Sequence, residues 1–147
     1  MRDKQDFSVV AVERAMVRVR RRQTRRALAS EAAVDPTLTA LADAVEGEQQ
    51  AARPCSVTSL AELLSVDQPR ASRLVAKAVA AGLVRRIADQ DDGRRSLLEL
   101  TEAGWAHVEE VRLRRQERFA AAMRGWSAKE RADFAELLTR FVDALDG

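Results

Sequence analysis

The sequence has one cysteine, Cys55, one histidine, His107, no tyrosine, and only 4% aromatic residues in its 147 positions. A lone cysteine excludes an intrachain disulfide and makes a reducing compartment, the cytoplasm, the expected location. With no Cys/His cluster, neither a dedicated metal site nor a cofactor is expected. Few aromatics and abundant alanine mean modest buried area per residue, so an isolated chain has little stability to spare. That is a first pointer to self-association. No apolar run approaches the roughly 20 residues needed to span a bilayer. The first residues, Met1 to Phe7, are charged and lead into an amphipathic stretch without a signal-peptide core. No membrane partner is expected. There is no glycine-rich phosphate loop, no nucleophile elbow and no obvious carboxylate pair, which argues against an enzyme.

What is present is an ordinary balance of 33% charged and 46% hydrophobic residues. It suits one domain, or one domain with dimerising extensions. The formal net charge is only +2 and the isoelectric point about 9.2. Net charge therefore does not name a nucleic-acid partner; the placement of the charges has to.

Residues from about Phe7 to Ala33 read as one long helix with no glycine or proline, in which valines and alanines mix with many arginines. Asp35-Pro36 caps and starts a second helix carrying Leu38, Leu41, Ala42 and Val45, predicted to stop near Gly47. Glu48 to Pro54 reads as a loop or frayed end. Ser56 and Ser59 are both candidate caps for a short helix through Leu60, Leu63 and Leu64, and Ser59 with Glu62 has capping-box spacing. Val66-Asp67 makes a turn, and Asp67 caps a helix from Gln68 to about Ala81, ended by Gly82. Leu83 to Ala88 and Arg95 to Leu100 read as two strands joined by a polar turn containing Asp-Gly. Thr101 caps a helix through Trp105, Val108 and Phe119 to about Arg124. Ser127 opens a last one with Phe134, Leu137, Leu138, Phe141, Val142 and Leu145 on one face. The predicted fold is mainly α with a small β-hairpin wing. It divides into N-terminal support and dimerisation helices (1–54), a winged helix-turn-helix (55–100) and C-terminal dimerisation helices (101–147).

The helix from Gln68 is the candidate reader. Arg70, Arg73 and Lys77 share a narrow arc, with Pro69, Ser72, Ala76 and Ala80 beside them. Ala71, Val75 and Ala78 face the other way, and Leu74 lies at the boundary. Small side chains permit close approach to a major groove, while arginine can bond guanine bidentately and serine adapts. Gln68 and Pro69 lie at the end that points at base edges, where the helix N-terminus also favours phosphate. Three cations on one helical face are otherwise an ordinary solvated surface; the short helix and turn before them, and the hairpin after, favour the reader. At the hairpin tip, Arg94 and Arg95 follow Asp91, Asp92 and Gly93. A wing arginine can enter a narrow minor groove. Alternatively Arg94 pairs with Asp92 and stiffens the turn, and the aspartates themselves repel DNA.

The run Ser59 to Val75 (SLAELLSVDQPRASRLV), then Ala80 to Arg86 (AAGLVRR), resembles the MarR family of bacterial regulators. So do Asp89 to Arg94 (D-x-x-D-x-R) and Leu98 to Gly104 (L-x-L-T-E-A-G). The flanking helices match the family's α-α-winged-helix-α-α order. The resemblance implies that Arg73 and the residues from Gln68 to Ser72 contact bases or phosphates, and that Arg94 is the wing arginine. It implies a homodimer joined through the first helix and the last two, with Val10, Val17, Phe134, Leu138 and Phe141 in the interface. It further implies a repressor of a pseudo-palindromic operator in double-stranded DNA, released by a small apolar or phenolic effector. Two departures stand out. Val34-Asp35-Pro36-Thr37-Leu38 replaces the family's usual entry to the second helix, and Gln68-Pro69 replaces a small hydroxyl pair at the start of the reader.

Several features keep two readings. The arginines of the first helix either add phosphate contacts or form a solvated face whose stems cover apolar surface; its family place in the dimer interface favours the second. Cys55 is either an oxidant sensor or a small buried hydrophobe. Trp105, Phe119 and Trp126 line either an effector cavity or a core. The rival for the whole chain is a winged-helix protein-interaction module that never touches DNA.

Overall fold

The computed structural model describes residues 6–28 and 34–147. Six helices and one hairpin follow in order: α1 (Phe7–Leu28), α2 (Pro36–Gln50), α3 (Val57–Leu63), α4 (Gln68–Ala80), β1 (Val84–Ala88), β2 (Ser96–Leu100), α5 (Glu102–Ala122) and α6 (Ala128–Asp146). The expected continuation of the first helix from 29 to Ala33 lies outside the described residues.

The caps follow from local chemistry. Asp35 accepts the Thr37 amide, Asp67 the Arg70 amide, Thr101 the Gly104 amide and Ser127 the Glu130 amide. Each satisfies an amide that the first helical turn leaves without a partner. Gly82 and Gly125 end their helices at φ +76° and +84°, backbone that glycine adopts without strain. Two expectations change. The cap of α3 is Ser56, and Ser59 sits at the third helical position, completing a capping box with Ser56 rather than opening the helix. α2 also runs three residues past Gly47, because its last turn is anchored from outside. The Gln49 side chain accepts the Leu100 amide at 2.8 Å, and Gln50 bonds back to Glu46 at 3.1 Å. Tertiary contacts override the glycine's poor helix propensity here.

One core joins α2, α3, α4, the hairpin and the first turns of α5. Leu41, Leu60, Val45, Val75, Val84 and Val108 are its largest fully buried side chains. The hairpin is antiparallel with Val84 opposite Leu100 and Ala88 opposite Ser96. Leu98 and Leu100 of β2 are buried, as period-two alternation requires, and the Leu98 amide donates to the Cys55 carbonyl at 2.8 Å. That bond pins the wing to the segment entering α3.

α5 is tied to α2 by a polar seam. Thr39 and His107 side chains meet at 2.8 Å, Arg115 bonds Asp43 at 2.9 Å, and Arg112 pairs with the buried Glu46. Hydrogen-bonding to that carboxylate pushes the Arg112 guanidinium further above its already high range.

α1 and α6 are different. No residue of α6 is buried, and Phe134, Leu137, Leu138, Val142 and Leu145 stand exposed on it. Along α1, Val10 and Val17 are half-buried, whereas Val9, Val12, Met16 and Val19 form the exposed apolar row.

Candidate nucleic-acid interface

The reader helix follows from its wheel. Ala71, Leu74, Val75 and Ala78 are buried against the core, so the remaining arc must face outward. Gln68, Pro69, Arg70, Ser72, Arg73 and Lys77 are all exposed. Among the described residues, none of the three cations takes part in an ion pair, so their charge is free for an external anion. α3 packs directly against α4, with Ser65 at φ +53° and the capping Asp67 forming the tight turn between them. This is the helix-turn-helix.

Arg70, Arg73 and Lys77 do not point in one direction only. With Asp35, Thr37, Leu38 and Leu74 they line an open cleft of about 420 Å³ between the start of α2 and α4. Around the helix, Arg70 and Lys77 lean toward α2, while Gln68, Ser72 and Ala76 turn away from it. The helix thus separates a cationic flank from a small, neutral crest, with Arg73 between them. The cleft was not visible from the sequence, because its other wall, Asp35 to Leu38, lies more than thirty residues earlier; the wheel of α4 alone gives only the cations.

The wing presents Arg94 and Arg95, both exposed. Asp92 accepts the Arg94 backbone amide at 3.1 Å, its carbonyl accepts the Arg95 amide at 2.9 Å, and Asp89 accepts the Asp91 amide at 3.0 Å. The aspartates therefore shape the turn through the backbone. No ion pair of Arg94 with Asp92 occurs among the described residues. At the base of the wing, Arg85 and Glu99 face each other in register and pair at 2.5 Å.

Cys55 lies in the core, 2% exposed. Burial first, and the charge of Glu48 second, push its thiol up to about 11. A sensor cysteine needs an accessible thiolate, so the oxidant-sensing reading fails on both counts. Glu48 itself is held below the usual carboxylate range by Arg53, 2.8 Å away. A thiol whose folded value is raised contributes stability fully below its unfolded value, near 8.5, and loses it as pH rises toward 11. We expect Cys55 to react with a thiol reagent at pH 8 only upon unfolding. Rapid labelling of the native protein would contradict the burial.

Of the residues expected at the dimer interface, Phe134 and Leu138 are exposed, while Phe141, Val10 and Val17 are half-buried. Trp105, Phe119 and Trp126 are also exposed rather than in a core, with Trp126 edge-on to Phe134 at 5.3 Å.

Residues 37–95 match the sequence profile of the MarR family. The chain is 36% identical over 91 residues to YxaD of Bacillus subtilis strain 168, named as an uncharacterized HTH-type transcriptional regulator. That match covers 62% of this chain and 64% of the relative, slightly under two thirds of its length. Over that segment the chain is similar to the MarR family. Its fold is similar to that of a MarR family protein from Bacillus stearothermophilus, at TM-score 0.80 and 19% identity, covering 100% of this chain and 99% of the other. It is also similar to Streptococcus pneumoniae FabT, solved in complex with DNA, at TM-score 0.69 and 14% identity, covering 96% and 98%. At such identities the likeness establishes the fold alone: mostly helical, with a winged helix at its centre.

Proposed function

We propose that this chain is a transcriptional regulator that binds double-stranded DNA as a homodimer through α4 and the wing, rather than an enzyme. The observation that carries the reading is the exposed cationic face of α4, in no ion pair among the described residues, beside a neutral crest. Gln68, Pro69, Ser72 and Arg73 meet base edges in the major groove; Arg70 and Lys77, on the flank toward α2, hold backbone phosphate. Arg94 reaches the adjacent minor groove, with Arg95 at the phosphates beside it. In this division of labour residues 55–100 read DNA, while 1–54 and 101–147 support and pair the subunits. Two-fold pairing sets half-sites about 10 bp apart in a pseudo-palindrome, and occupancy of such a site near a promoter represses. A small apolar or phenolic effector in the crevice between the pairing helices and the reading lobe would release it, provided it binds the two states unequally.

The first experiment is selection from randomised duplex DNA at two salt concentrations. An enriched inverted repeat with that spacing supports the reading. Weak, sequence-indifferent binding would move the protein-interaction module to first place. On the recovered site, Arg73→Ala is expected to cost about 1–3 kcal/mol, a loss of roughly 5- to 150-fold, concentrated at one base position. Equal titration curves for mutant and parent would remove Arg73 from the interface.

A further inference from the structure

The strongest positive region of the molecule is not on the reading lobe. α1 carries Arg14, Arg18, Arg20, Arg21, Arg22, Arg25 and Arg26 against a single acid, Glu13, while the whole chain has a net charge of only +2. The rest of the protein is therefore net acidic, and the reading lobe, with Glu62, Asp67, Asp89, Asp91, Asp92 and Glu99 among its cations, is close to neutral. The positions of these arginines are ordered. Arg14, Arg18, Arg21, Arg22 and Arg25 fall in one stripe spanning about 16 Å along the axis. All are exposed, and among the described residues none is in an ion pair.

The stripe lies on the side of the helix opposite its exposed apolar row, and its Arg21 edge borders the half-buried Val10 and Val17. Half-buried Val10 and Val17 lie about 70° round from its centre, and the exposed row of Val9, Val12, Met16 and Val19 about 160° round. Pairing of subunits through the exposed apolar row leaves the stripe in water. A row of like charges at close spacing destabilises its own helix by repulsion, a cost that a counter-charge along the same line removes. Duplex DNA presents about one negative charge per 1.7 Å of axis, so a straight stripe of this length can engage several phosphates without any base contact.

We infer that the α1 arginine stripe is a second, sequence-independent docking surface for duplex DNA, engaging backbone outside the half-site read by α4. This rests on the DNA-binding reading above. It gives the protein two DNA contacts of different character: a nearly neutral lobe that discriminates sequence, and a strongly cationic helix that supplies non-specific attraction.

The test uses the full-length protein with two probes, a 150-bp duplex of random sequence and the short duplex recovered by selection. Arg18, Arg21, Arg22 and Arg25 are changed together to Gln, which retains helix propensity and removes charge. On the random duplex the slope of log affinity against log salt is expected to become shallower by about 3–4, with at least a tenfold loss at low salt. The short selected duplex should be bound within twofold of the parent. The four corresponding Lys substitutions keep the charge and should keep the slope. An unchanged slope in the Gln variant overturns the proposal and leaves the stripe to an acidic protein partner. So does an equal loss on both probes, or a loss in the Lys variant, since either points to damaged packing. A parent that binds the selected duplex but not the random one refutes the stripe alone; a parent that binds neither refutes the DNA reading with it.

Discussion

Gly104→Ala is expected to destabilise the protein by about 3 kcal/mol, a large part of the stability of a domain this size. In an exposed helix the same change would gain about 1 kcal/mol from helix propensity. Here the sign reverses because α5 begins against the exit of the hairpin. A Cβ on Gly104 would overlap the Leu83 carbonyl oxygen, stand 3.0 Å from the carbonyl carbon and 3.2 Å from Leu100 Cδ2. The oxygen cannot retreat, since it already accepts the Thr101 amide at 3.0 Å. Thr101 in turn uses its hydroxyl to accept the Gly104 amide at 2.9 Å and to donate to the Gly82 carbonyl at 2.5 Å. One threonine thus joins the end of α4, the last strand and the first turn of α5, and all three would have to move. The thermal midpoint should fall by on the order of 10 °C. A midpoint equal to or above the parent's would mean that the approach of Gly104 to Leu83 is not as close as described.

Leu138→Asp is the second large effect. Among the described residues the apolar face of α6 is left exposed apart from the edge contact of Phe134 with Trp126, and exposed stripes of this kind mark protein interfaces. If a second copy covers it, a carboxylate at its centre is buried without a counter-charge, and the dissociation constant should rise by at least two orders of magnitude, about 3 kcal/mol. Sedimentation velocity at micromolar concentration should then find monomer where the parent is dimer. The parent's unfolding midpoint should rise with concentration and the variant's should not. A variant that sediments as the parent does would place the interface elsewhere, for instance on Val9, Val12, Met16 and Val19 of α1.

Local signals made most of this fold legible. Capping side chains, the Asp-Gly turn and two helix-ending glycines are decided within four residues of sequence, and the structure keeps them to within a residue or two. The reader face was legible for the same reason, since a helical wheel needs only its own helix. What was hidden is long-range. The seam Thr39–His107, Asp43–Arg115 and Glu46–Arg112 joins positions 66 to 72 residues apart, and no local rule pairs them. The true length of α2 depended on Leu100, and the fate of Cys55 depended on burial by distant segments. On α1, two apolar rows at different angles compete for the name of core face. Only the half-burial of Val10 and Val17 distinguishes one row from the other, left bare.

The seam also makes α5 a ruler. Gly104 and Val108 are buried in the reading lobe, yet the helix continues to Ala122 over 21 residues, about 31 Å of rigid rod. Anything fixed to its far end stands at a set distance and azimuth from α4. Adding or removing one residue between Val108 and Phe119 would advance the far end by only about 1.5 Å but rotate it by about 100°. Surface substitutions on this segment are therefore mild perturbations, whereas a change of length re-aims whatever the two ends of the rod hold. In a pair of such chains, the separation and twist of the two readers are written in the residue count of α5.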